Sequence, residues 1–125
     1  MITKAGTIGI NVRDQAQARD FYTKTLGFQV IRDEPMMPGS AEPRWLEVAP
    51  AGVETHFVLY TPPGHEDQIG TSTRVVLHCD DLPATVDDLR AKGVRITTEA
   101  EHQPWGWWAE FTDPDGNEFG IWAPA

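Results

Sequence analysis

The feature that most restricts the fold of this chain is a repeat of one short grammar. Asp14 precedes Gly27 by 13 residues and Asp81 precedes Gly93 by 12, and each pair brackets a helical pattern that follows one apolar strand and precedes others. Asp14 and Asp81 carry N-cap side chains, and Pro83 falls in the first turn of the second helix. Gly27 and Gly93 stand where a helix ends with a left-handed residue. Between them, Ala18, Phe21, Tyr22 and Leu26, and then Val86 and Leu89, form the apolar stripes.

The strands follow from period two. Residues 6–12 alternate so that Ile8, Ile10 and Val12 share one face and Thr7, Gly9 and Asn11 the other. Residues 28–32, 44–48 and 53–60 read as strands after the first helix, with a flexible loop at 33–43. A breaker-rich connection, 61–70, leads to a strand at 74–79, and the second helix is followed by strands beginning at 94 and spanning 107–112 and 118–122. The expected fold is therefore α+β: two βαβββ modules, about 5–60 and 72–123, in one domain of 125 residues. One helix per module covers only one face of its sheet, so concave mixed sheets with helices on the outer side are expected.

Four of the five tryptophans flank Asp113-Pro114-Asp115-Gly116-Asn117, a tight turn between strands of a hairpin. A net charge of −9 repels phosphate backbones and anionic membrane surfaces, so neither nucleic acid nor a membrane is an expected partner. The acidity is compatible with solubility or with attraction of a cationic ligand. Cys79 is the sole cysteine, residues 1–9 lack a signal-peptide pattern, and no apolar run approaches the length of a bilayer span, which makes the cytoplasm the default location.

Val12-Arg13-Asp14, the run from Ala18 to Phe28 with its Phe-Tyr and Leu-Gly-Phe elements, and the Asp113–Phe119 turn together resemble the vicinal oxygen chelate superfamily. That group includes glyoxalase I, extradiol dioxygenases, fosfomycin-resistance enzymes and bleomycin-resistance proteins. The resemblance covers nearly the whole chain, but its motifs are fold elements and say little about chemistry. It implies that metal-dependent members take ligands from four strands, at positions that fall here on Thr7, about Phe57, about Arg74, and Gly120. None is a competent donor, and Arg74 is a permanent cation. The alternative enzyme reading, a metal-dependent lyase, isomerase or dioxygenase, relies on His56, His78 and Glu118 and needs a one-residue shift of strand register. His65 and His102 fall in expected loops without ligand-like spacing, and no nucleophile motif is present. Glu47, Glu54 and Glu110 read as a solvated strand face, able to act as bases only if buried.

Metal-free members of the superfamily include antibiotic-sequestering proteins, acidic dimers that bind a drug unchanged. The Gln103-Pro104-Trp105-Gly106 to Asp113-Pro114-Asp115-Gly116 arrangement is similar to theirs. The resemblance and the tryptophan load imply a non-catalytic cytoplasmic homodimer, without cofactor or metal, that sequesters a planar aromatic antibiotic-like ligand. The expected ligand-binding residues are Trp45, Trp105, Trp107, Trp108, Phe57, Met36, Met37, Arg74, Asn11 and Glu110. Only one of the adjacent Trp107 and Trp108 can face the pocket, and Trp122 is expected in the core.

Overall fold

Each half of the chain folds as one strand, one helix and three further strands. The computed structural model describes residues 1–125, which divide into two compact units, Met1–Ile69 and Gly70–Ala125. The first contains β1 (Thr7–Ile10), α1 (Gln15–Asp20), β2 (Gln29–Pro35), β3 (Arg44–Ala49) and β4 (His56–Leu59). The second contains β5 (Ser72–His78), α2 (Leu82–Ala91), β6 (Arg95–Gln103), β7 (Gly106–Thr112) and β8 (Glu118–Ala123). The sheets are open and mixed, in the orders β1-β4-β3-β2 and β5-β8-β7-β6. In both, the first strand of the module runs parallel to the last, and the other neighbours are antiparallel.

The helices start and stop for the expected reasons. Asp14 accepts a hydrogen bond from the Gln17 backbone N at 3.0 Å and Asp81 one from that of Ala84 at 3.1 Å, satisfying amides that the first turn leaves orphaned. Gly27 and Gly93 turn the chain out with φ of 77° and 85°. One feature of α1 is not in the helical pattern: it widens into a π-helical turn over Phe21–Thr25, with Leu26 N donating to Phe21 O at 3.1 Å. No helix is long and apolar enough to cross a membrane.

Each helix packs on one face of its own sheet. In the first unit Ala18 and the fully buried Tyr22 are buried in one core with Ile10, Leu46, Val48, Phe57 and Leu59; in the second Leu82, Val86 and Leu89 are buried with Phe111, Phe119 and Ile121. Burying each such side chain contributes about 1.5–3 kcal/mol. Phe57 corrects one expectation. It stacks on Phe28 with ring centroids 5.9 Å apart, so it is a core residue of the first unit and does not face the sheet's open side.

Strand lengths also differ from expectation. β2 runs on to Pro35 and β6 to Gln103, while β4 starts at His56, three residues after the expected start at Val53. The final hairpin is held by a buried knot. Asp113 Oδ1 accepts from the backbone N of Asp115 and of Asn117, both at 2.9 Å, and Asn117 Oδ1 accepts from Gly70 N at 2.9 Å. A Cβ on Gly70, whose φ is 86°, would stand 2.9 Å from Asp115 O, so the chain entering the second unit passes too close for any side chain.

Candidate functional site

The helix-free face of each sheet carries the same three-residue device. In the first unit it is Trp45-Leu46-Glu47 on β3; in the second it is Trp108-Ala109-Glu110 on β7, the strand in the equivalent place. Residues two apart on a strand share a face, so in each device the indole can reach the carboxylate ahead of it. Trp45 Nε1 donates to Glu47 Oε2 at 2.5 Å, and Trp108 Nε1 points at Glu110 Oε1 at the looser distance of 3.4 Å.

In the second unit the device borders a hollow of about 180 Å³, lined by Ser72, Arg74, Val76, Trp108, Glu110 and Glu118 with Gly120 as part of its floor. Gly120 is level with Glu110 on β7 and with Val76 on β5. The Trp108 ring lies on it: a Cβ there would be 2.4 Å from Cη2 and 2.7 Å from Cζ2 of the indole. A glycine at this position is what lets the ring lie flat on the sheet. Trp105 meets Trp108 edge-on with centroids 6.1 Å apart, and Trp122 pairs with Trp108 across the strands. Trp122 is thus half-buried on the open face, donating to Trp105 O at 3.2 Å, and not in the core as expected.

The carboxylates of this hollow are crowded. Glu110 Oε1 accepts from Thr98 Oγ1 at 3.0 Å, and Glu118 Oε2 accepts from Thr97 Oγ1 at 3.4 Å. Burial, then the hydrogen bond to Glu110 and its negative charge, push the Glu118 carboxyl above its ordinary range.

The first unit compensates its acid differently. Glu47, expected on a solvated face, is only 8% exposed. His56 Nδ1 meets Glu47 Oε1 at 2.9 Å, and Arg32 Nη1 approaches Oε2 at 4.0 Å. Burial alone would raise the Glu47 carboxyl, but the bonds from Trp45 and His56 and the charge of Arg32 outweigh it and hold the group below its ordinary range. Glu110 is half-buried, and Glu54 lies exposed before β4.

The register question is answered by the pairing of Thr7 with His56 on the parallel β1–β4 ladder, which puts His56, not Phe57, on the open face. His56 has both ring nitrogens engaged, the second facing Val53 O at 3.1 Å, which leaves no lone pair directed at a cation. His78 is exposed and packs on Trp122 at 4.9 Å, level with it; Glu118 is level with Ser72, four residues along, or about 13 Å away. No three His, Cys, Asp or Glu side chains are grouped to hold a metal. With a hydroxyl at Thr7, a cation at Arg74 and an indole over Gly120, the residues do not fit the metal centre that the resemblance implies.

The other expected residues lie on several elements of the two units. Trp107 points to the helix side, beside His102 at 5.0 Å, which makes Trp108 the pocket-facing member of the pair. Trp105 is 57% exposed at the rim. Met36 and Met37 lie in the β2–β3 connection, Met37 exposed and Met36 half-buried with its N bonded to Pro43 O, and Asn11 is half-buried just past β1. Sequence reasoning missed the pairing of Trp and Glu at i and i+2 on the third strand of each module, although both copies stand in the sequence.

Two open sheets of matching βαβββ topology, each with an indole backed by a carboxylate on its helix-free face, define a duplicated-module scaffold. The chain belongs to the Glyoxalase/Bleomycin resistance protein/Dioxygenase superfamily, whose family model matches residues 4–121. It is 36% identical over 119 residues to the uncharacterized protein YetH of Bacillus subtilis, covering 95% of this chain and 97% of that one. A superfamily member from Sphaerobacter thermophilus has 34% identity and a TM-score of 0.86 over 98% of both chains. TnmS3, an antibiotic binding protein from Streptomyces sp. CB03234, has 34% identity and a TM-score of 0.82 over 99% of this chain and 98% of its own.

Proposed function

We propose that this protein is a non-catalytic, small-molecule-binding member of its superfamily that sequesters a planar aromatic, antibiotic-like ligand, with drug resistance as its role. In this reading the chain works as one cytoplasmic domain in a homodimer. The observation that carries the proposal is the Trp108 indole lying on Gly120, where metal-dependent relatives would need an electron-pair donor. A broad rigid ring in that place supplies a stacking surface, each aromatic contact contributing roughly 0.5–1.5 kcal/mol beyond area burial. Trp105 at the rim extends the aromatic surface, Glu110 and Arg74 supply polar contacts, and Trp45 offers the corresponding indole on the first unit's own sheet. Likeness to TnmS3 over nearly the full length of both chains supports the same reading.

The binding act needs no covalent step. The ligand's flat face replaces water on apolar ring surface, and the carboxylates and guanidinium fix its orientation. Titration with flat polycyclic drugs, followed by tryptophan fluorescence, tests it. Quenching that saturates at or below tens of micromolar, on the order of 6–8 kcal/mol of binding, is the expected result. No quenching across a panel of such compounds overturns the proposal.

A further inference from the structure

We infer that Arg74 sets which flat ligand the hollow of the second unit accepts, its guanidinium taking an acceptor oxygen carried on the edge of the ring system. The inference rests on the binding reading above and narrows it. Arg74 is the one non-glycine residue of the chain with positive φ, at 60°. For an L residue with a long side chain that conformation costs free energy and persists only where the surroundings impose it.

The surroundings are a bulge. Ser72 pairs with Glu118 and Val76 with Gly120, so four steps along β5 face two along β8, and two surplus residues stand off the ladder. Arg74 N reaches Ser72 Oγ at 3.4 Å and Val75 N reaches Thr73 Oγ1 at 3.1 Å, fixing the backbone by side chains other than that of Arg74. Glycine would meet this conformation without strain. The arginine therefore needs a reason beyond the backbone.

No group in the chain supplies that reason. Arg19, Arg32, Arg44 and Arg90 each pair with a carboxylate, but the Arg74 guanidinium has no partner, although two carboxylates line the same hollow. Those two are engaged toward β6, through Thr98 and Thr97, while Arg74 stands on the edge strand β5. A flat molecule lying against Trp108 has one rim over β5, in reach of a rigid fork of N–H donors that holds no acceptor of its own. The complement of that fork is an oxygen in the ring plane, carbonyl or phenolate.

Resorufin and proflavine are flat three-ring dyes of similar outline, the first with oxygens at its ring edges and the second with amines. Both are titrated against the wild type, Arg74→Gly, and Lys4→Gln, which removes the same charge at an exposed site, with thermal melts in parallel. Arg74→Gly is expected to weaken resorufin by about tenfold or more, to leave proflavine, itself a cation, bound as tightly as before or more tightly, and to keep or raise Tm; Lys4→Gln leaves both affinities within about twofold. Unchanged resorufin binding, equal loss of both dyes, or a fall in Tm overturns the role of Arg74 and leaves the binding reading standing. Failure of the wild type to bind either dye removes the binding reading as well.

Discussion

Replacing Gly120 by alanine asks directly whether an indole occupies the floor of the hollow. The added Cβ would stand 2.4, 2.7 and 3.2 Å from Cη2, Cζ2 and Cζ3 of Trp108. Carbon atoms pack at about 3.5–4.0 Å, so the ring must retreat by about 1.1 Å or more. Because φ at Gly120 is outside the left-handed region, the backbone accepts alanine, and the cost falls on the side-chain contact. Overpacking of this kind costs about 1–3 kcal/mol, against about 0.4–1 kcal/mol recovered from a stiffer unfolded chain. The net loss centres on about 1 kcal/mol, a fall in Tm of about 4 °C for a domain of this size. The decisive assay is a double-mutant cycle by urea denaturation. In a Trp108→Ala background the clash is absent and Gly120→Ala becomes neutral or stabilising, giving a coupling of about 1–3 kcal/mol. The same cost in both backgrounds would refute the placement of the indole, and with it the observation on which the proposed function stands. Ligand quenching by Gly120→Ala falls in step, since the displaced ring also loses its bond to Glu110.

Glu118→Gln is expected to raise stability near neutral pH and to change little in acid: a carboxyl lifted above its ordinary 4.5 costs the fold stability as pH rises through its folded value, and glutamine has no such loss. Glu47→Gln acts the other way. Its carboxyl is held below 4.5, so the stability it contributes is present at neutral pH and lost as pH falls through the folded value; the variant should be less stable at pH 7 and show a flatter acid limb. Urea midpoints from about pH 3 to pH 7 test both, and parallel curves for wild type and variants would contradict them. Asn117→Ala removes the acceptor for Gly70 N and a partner of Asp113 from a site only 2% exposed, and should cost about 2–4 kcal/mol in denaturation; a loss under about 0.5 kcal/mol would show that the turn holds without it.

What the sequence discloses is local. Asp14, Asp81, Gly27 and Gly93 mark helix ends because capping is settled within a few residues, and Asp113 to Asn117 marks the hairpin because turn chemistry is equally short-ranged. The alternation of Ile8 and Ile10 against Thr7 and Gly9 gives the faces of β1 correctly. β6 extends past its apolar start because Thr97, Thr98, Glu99 and Glu101 lie on an edge strand, where polar residues suffice and period two is faint. Side chains of the site depend on partners from other strands. Phe57 and His56 exchange faces by one residue of register, Glu47 is buried by Trp45 and His56, and the choice between Trp107 and Trp108 follows from the bulges of β6 and the pairing with β8. None of these is fixed by its own neighbours in sequence.

The two surplus residues of β5 do more than shape one aromatic hollow. An outermost strand with a straight run of free amides and carbonyls is a template onto which a foreign chain can zip, and it is the usual starting point of aggregation. By bending that border and standing a permanent charge upon it, the Ser72–Val76 distortion denies an incoming strand a continuous ladder. Trimming the distortion away would regularise the sheet and, by the same stroke, leave its margin open to fibrous growth.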